Sequence, residues 1–94
     1  MLDVRRGTNG EFILVGRLDA AQADRLREEL KSVEATCELD FENVDYISSA
    51  CLGVLLGVQR RLVEKGQSLV LTHMSRHIKE LFSIAGFSQV FTIK

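Results

Sequence analysis

The sequence predicts an α/β fold: a mixed, mainly parallel β-sheet that opens with an N-terminal β-hairpin and packs against about three helices. Three observations carry this reading. Asn9-Gly10 separates two short strand-like runs, and this dipeptide favours a hairpin because both residues tolerate positive φ. From Phe12 onward, strand-like and helix-like segments alternate with short connections, the pattern of parallel strands joined by right-handed crossovers. The helix-like segments repeat apolar residues at helical spacing, and the second and third end at Gly66 and Gly86, where glycine can take the positive φ of a helix terminus.

The hairpin consists of Leu2–Arg6 and Glu11–Gly16 around Gly7-Thr8-Asn9-Gly10. Phe12-Ile13-Leu14-Val15 is apolar at every position, as expected for a strand in the middle of the sheet and covered on both faces. Asp19 is followed three residues later by Gln22, the spacing of a capping box. A first helix is therefore expected from Ala20 to Glu34, burying Ala23, Leu26, Leu30 and Val33 and turning Arg25, Arg27, Glu28, Glu29 and Lys31 to water.

A strand is expected over Thr36–Phe41, with Cys37, Leu39 and Phe41 pointing inward. The polar stretch Glu42-Asn43-Val44-Asp45 reads as a turn, and Tyr46-Ile47-Ser48-Ser49 leads into a helix from Ser49 to Lys65, closed by Gly66. A fourth strand spans Ser68–Thr72. Ser75 then caps a short helix whose Ile78, Leu81, Phe82 and Ala85 share one face and which stops at Gly86. Phe87–Ile93 is a final strand or extended tail. With no proline, no repeat and no low-complexity stretch, residues 1–94 are expected to form one domain.

Composition narrows the function. Apolar residues make up 46% and charged residues 27% of the chain, ordinary values for a soluble globular protein. The net charge of -1 is spread along the chain without a basic run, which argues against nucleic acid as a partner. Met1-Leu2-Asp3-Val4-Arg5-Arg6 lacks the basic-then-apolar pattern of a secretory signal, and the apolar runs are too short to cross a bilayer. A cytoplasmic protein without direct membrane insertion is expected. Cys37 and Cys51 are spaced neither as a redox pair nor as zinc ligands, so both are read as reduced structural thiols.

In an open α/β sheet, ligand and partner sites gather where strands end and helices begin. Here those positions carry Asp19, the pair Ser48-Ser49 and the turn His73 to His77. Two hydroxyls stand where a helix presents unpaired N–H groups and positive partial charge. They fit simple N-capping, and they fit a regulatory hydroxyl. The following helix is apolar over most of its circumference through Cys51, Leu52, Val54, Leu55, Leu56 and Val58. One side must cover the sheet; the other is open either to a partner or to neighbouring elements. Gly53 and Gly57 have a spacing that permits close approach of another backbone.

The stretch Leu39-Asp40-Phe41-Glu42-Asn43-Val44-Asp45-Tyr46-Ile47-Ser48-Ser49-Ala50-Cys51-Leu52-Gly53-Val54-Leu55-Leu56 resembles the signature of STAS domains. In that family a strand, an aromatic-containing turn and a helix start of the form D-S-S/T-G-L-G follow in this order. Gly16-Arg17-Leu18-Asp19 is similar to the family's G-x-L-D turn. The resemblance implies an anti-sigma factor antagonist, a non-enzymatic phosphoprotein that takes part in partner switching and needs no cofactor. It further implies that an ATPase-type serine kinase, which is also the anti-sigma factor, phosphorylates the serine after the motif's Asp, and that a phosphoserine phosphatase reverses this. By register that serine is Ser49, with Ser48 the second choice, and the partner-binding positions are Asp19, Ser48, Ser49, Ala50, Cys51, Gly53 and Val54. Ser48 stands where relatives often carry Asp, Ala50 replaces the second hydroxyl and Cys51 replaces the usual Gly. A monomer or weak dimer is expected.

Other readings compete. Within the resemblance, STAS proteins also act as accessory subunits of lipid-exporting ABC-type transporters. An enzyme would need Ser49, His73 or His77, and Asp19 or Asp45 assembled as nucleophile, base and orienting acid, yet no nucleophile-elbow glycines flank Ser49. Cys51 at a helix start invites a lowered thiol pKa, but Gly57 occupies the place where a C-x5-R phosphatase loop needs Arg. No cluster has convincing metal spacing, and no glycine-rich phosphate loop supports a nucleotide sensor. Arg76, His77, Lys79 and Glu80 rim a partner surface or form a solvated helix face.

Overall fold

The computed structural model describes Leu2–Lys94, so Met1, the first residue of the expected domain, lies outside the described residues. The chain folds into strands β1 (Leu2–Arg6), β2 (Phe12–Leu18), β3 (Cys37–Ile47), β4 (Leu69–Thr72) and β5 (Thr92–Ile93) and helices α1 (Ala23–Leu30), α2 (Ser49–Val63) and α3 (Arg76–Ile84). The sheet order is β1-β2-β3-β4-β5, with β1 antiparallel to β2 and every other pair parallel. The mixed sheet with its opening hairpin is as the sequence predicts. Gly10 takes φ +81° in the hairpin turn.

Because successive parallel strands are neighbours in one direction, right-handed crossovers place all three helices on one face of the sheet. Leu14, Leu18, Leu39, Phe41, Leu69 and Leu71 from that face meet Leu26 and Leu30 of α1, Leu55 and Leu62 of α2, and Ile78 and Phe82 of α3 in one core. Phe82 packs edge-on against both Phe41 and Phe91, with ring centroids 6.1 and 5.7 Å apart.

The second face carries no helix, which corrects the expectation that β2 is covered on both sides. Ile13 and Val15 are only half-buried there. Their cross-strand partners, Arg5 and Asp3 on β1 and Asp40 opposite Ile13 on β3, put charges on the same face. A central position with one covered face therefore accounts for the continuous apolar run.

Two boundaries also differ from expectation. The first helix is not continuous from Ala20 to Glu34: a 3₁₀ turn, Ala20–Gln22, precedes α1, and the Asp19 side chain makes no capping bond. The Gln22 N–H instead bonds the Asp19 carbonyl at 2.9 Å, so the tight turn satisfies itself through the backbone. At the other end, Arg61 of α2 donates to the carbonyls of Leu30 (3.0 Å) and Val33 (2.8 Å) and takes over the free carbonyls that a longer helix would have paired. The expected turn at Glu42–Asp45 is strand: β3 runs on to Ile47, held by pairing with β2 as far as Leu18. A bulge absorbs the mismatch, since Ile13 opposes Asp40 while Val15 opposes Asn43.

The ends of the later helices follow expectation closely. Gly66, at φ +71°, closes α2 as the Gln67 N–H returns to the Leu62 carbonyl at 2.8 Å. Ser75 Oγ accepts the Ile78 N–H at 3.1 Å to start α3. The strand or extended tail expected over Phe87–Ile93 is strand only at Thr92–Ile93, where β5 pairs with β4; before it the chain turns, with the Val90 N–H on the Phe87 carbonyl at 3.1 Å.

Candidate partner-binding site

The junction between β3 and α2 is fixed from both sides. Ser48, in extended conformation, donates its N–H to the Leu18 carbonyl at 2.8 Å, which ties the end of β2 to the start of α2. Its Oγ accepts the Cys51 N–H at 3.2 Å and so caps the helix. Ser48 is buried, whereas Ser49, the first helical residue, and Ala50 are exposed. The two adjacent hydroxyls therefore divide the work: one closes the helix, and the other is left at its positive end facing solvent.

Cys51 turns inward and its thiol donates to the Asp19 carbonyl at 3.3 Å. Burial pushes this thiol above its ordinary pKa; the Ser48 contact opposes the rise and the nearby Asp19 charge adds to it. The lowered pKa that a helix start invites is thus absent, and Cys51 is a packing residue. Asp19 joins the same junction half-buried, with Oδ1 buried and without a hydrogen-bond partner.

Farther along α2, Gly53 and Gly57 are both exposed, and a Cβ built on either meets nothing within 4 Å. No packing within the described residues requires glycine at these positions. Together with Arg27 and Arg61 they border a shallow groove of about 280 Å³ whose floor is Val54 and Val58. Val54 itself is buried in the core, so it shapes the groove from beneath. The structure brings Asp19, Ser48, Ser49 and Cys51 together around one helix start, with Ala50 and Gly53 continuing the exposed side.

The sequence reading did not anticipate Arg27 and Arg61 at this groove, because their convergence depends on how α1 and α2 pack. The same holds for the Arg17 guanidinium stacked 4.6 Å over the Tyr46 ring, a pair created by the β2–β3 register. The imagined catalytic triad is not assembled: the imidazole of His73 faces Asp40 instead, and His77 lies exposed on α3. Among the described residues no helix is long and apolar enough to cross a membrane.

The chain as a whole is similar to known proteins. A family model described as "Mlab, STAS domain" matches residues 5–93. The BtrV protein of Bordetella bronchiseptica is 37% identical over 84 residues, spanning 85% of this chain and 72% of that protein. The anti-sigma-B factor antagonist of Listeria monocytogenes is 30% identical over 88 residues, or 89% of this chain and 77% of the relative. The solved structure of the Bacillus cell fate determinant SpoIIAA in its phosphorylated form has the same fold, with a TM-score of 0.70 at 18% identity over 100% of this chain and 91% of that one. By its family match and its relatives, the chain belongs to the STAS domain family.

Proposed function

We infer that this protein is an anti-sigma factor antagonist that works as one domain in the cytoplasm. Its partner is an anti-sigma factor that is also an ATP-dependent serine kinase. Unmodified, the protein binds that kinase through the start of α2, and phosphorylation of Ser49 ends the complex; a phosphoserine phosphatase restores the first state. Asp19, Ser48, Ala50, Cys51, Gly53 and Val54 shape or line the contact.

The observation that carries this reading is the division of labour between the two serines. Ser48 is buried and engaged as the cap, so a phosphate there would remove a helix contact, whereas exposed Ser49 can be modified without loss of the cap. A phosphoryl group adds about 1.5 to 2 negative charges at neutral pH, and at a helix N-terminus it meets favourable N–H dipoles. The fold therefore survives modification. In the complex the same dianion must be desolvated against a surface that accepted a neutral hydroxyl, and affinity falls. The name of the Listeria relative, an anti-sigma-B factor antagonist, supports the antagonist role.

The test uses wild type, Ser49→Ala and Ser49→Asp as baits in lysate of the native host, with retained proteins identified by mass spectrometry. An anti-sigma serine kinase is expected on wild type and Ser49→Ala and lost from Ser49→Asp. With ATP, this kinase should add one phosphate to the wild-type peptide containing Ser49. Equal retention by all three baits would refute the switch, and a transporter ATPase in place of the kinase would identify an accessory subunit.

A further inference from the structure

We propose that Asp40, Glu42 and His73 bind one divalent transition-metal ion of the zinc class on the helix-free face of the sheet. Each residue offers one donor atom, and the three donors lie within 4.8 Å of one another. The sequence conceals the site, because two ligands lie on β3 and the third just past the end of β4, strands that only the sheet makes neighbours.

The β3 bulge supplies two of the ligands. It falls between the pairings Ile13–Asp40 and Val15–Asn43, and such irregularities redirect side chains. The Glu42 N–H bonds Asp40 Oδ1 at 2.9 Å. That bond holds the Asp40 carboxylate in one orientation and leaves Oδ2 free to face the imidazole. The third ligand arrives through register: Thr72, the last residue of β4, is the partner of Asp40, and His73 follows it directly. His73 adopts φ +56°, which turns the chain out of the strand.

His73 Nδ1 and Asp40 Oδ2 are 3.3 Å apart. Two ligands on a tetrahedral zinc ion with bonds near 2 Å are separated by roughly the same distance, about 3.3 Å. Asp40 is the shielded ligand, with 19% of its side chain exposed, while His73 is 61% exposed. Glu42 is exposed as well and can swing its carboxylate onto the ion without repacking the core. Two carboxylates balance the dication, an imidazole suits zinc-like ions over magnesium or calcium, and the outer coordination position stays open to water. The site is distinct from the start of α2, since β3 continues past Glu42 to Ile47 before the helix begins.

The experiment is calorimetric titration of Zn²⁺ into the whole, chelator-stripped protein near neutral pH, with thermal melting in parallel. One saturable site per chain and a zinc-dependent rise in Tm are expected. His73→Asn removes the imidazole, and Asn tolerates the left-handed backbone, so the fold is kept while affinity should fall by more than about tenfold. His77→Ala should bind as wild type does. Absence of saturable Zn²⁺ binding by wild type would reduce the cluster to a His–Asp side-chain contact and overturn the proposal. Zinc binding that survives His73→Asn but is lost in Cys37→Ser would overturn it too, by placing the ion at a thiol.

Discussion

Ser48 Oγ accepts the backbone N–H of Cys51 at 3.2 Å, and this bond decides which of the two adjacent serines is available for chemistry. A hydroxyl committed to a cap is buried and satisfied; its neighbour, one residue into the helix, faces solvent at the same positive terminus. The thiol three positions on completes the junction by reaching back to Asp19. Capping and regulatory readings of the pair, both open on sequence grounds, are thus compatible: each serine can serve one of them.

Removing the cap should cost stability, while removing its neighbour should not. Ser48→Ala leaves the Cys51 N–H without its acceptor inside a buried junction, and the expected loss is about 1 kcal/mol. Ser49→Ala deletes an exposed hydroxyl and should stay within about 0.5 kcal/mol of wild type. Urea unfolding of both variants measures the difference. Equal losses would mean that the two hydroxyls share the capping role.

The buried Cys51 thiol should titrate above an ordinary cysteine, since burial favours its neutral form. In a Cys37→Ser background, the pH profile of alkylation should reach half its maximal rate at a higher pH for the folded protein than for the urea-unfolded chain. The sign for stability follows from linkage. The folded state keeps a proton that the unfolded state has released, so this contribution is fully present below the unfolded thiol pKa and is lost as pH rises through the folded one. Stability measured by denaturant should therefore decline across the alkaline range, and Cys51→Ser should flatten that decline.

How far the sequence could be read depends on whether local or distant contacts set each feature. Gly66, Ser75 and Gly86 act within their own turns, so the ends of α2 and α3 were legible. Glu42–Asp45 looks like a turn because it is polar, yet pairing with β2 keeps it in strand geometry, and nothing local reports that partner. Likewise, α1 stops early because Arg61, distant in sequence, holds the carbonyls of Leu30 and Val33. The residues proposed to meet a partner were legible as a motif. Their division into buried Ser48, Cys51 and Val54 and exposed Ser49, Ala50 and Gly53 was not, because it depends on the pose of α2 over the sheet.

The Arg61 contact makes a separate prediction. Arg61→Leu removes a charged donor from two main-chain carbonyls at the end of α1, at an expected cost of about 2 kcal/mol. Arg61→Lys should recover only part of this, because both carbonyls accept from the one Nη2 group, whose N–H bonds the planar guanidinium holds in fixed directions and a flexible ammonium does not. Hydrogen exchange should localise the loss to the last turn of α1 and the Ser32–Ala35 segment. Uniform loss of protection across the sheet would show that Arg61 supports the whole core.

The exposed glycines of α2 give the sharpest separation of folding from function. A glycine inside a helix costs about 0.5 to 1 kcal/mol relative to alanine, because the unfolded chain gives up more backbone freedom. At Gly53 a methyl group meets no atom within 4 Å, so Gly53→Ala should capture most of that gain and raise the urea midpoint. On a partner-facing helix the same methyl stands where another backbone must approach, and affinity for the anti-sigma factor should fall at least about fivefold, or ~1 kcal/mol. Stability and binding should thus move in opposite directions in a single variant. Gly57→Ala provides the gradient: it lies one turn farther from Ser49, so an equal gain in stability with a smaller loss of affinity is expected if the contact centres on the start of the helix. A stabilised Gly53→Ala protein that binds its partner as tightly as wild type would exclude this face of α2 from the interface and move the contact toward Asp19 and the end of β2.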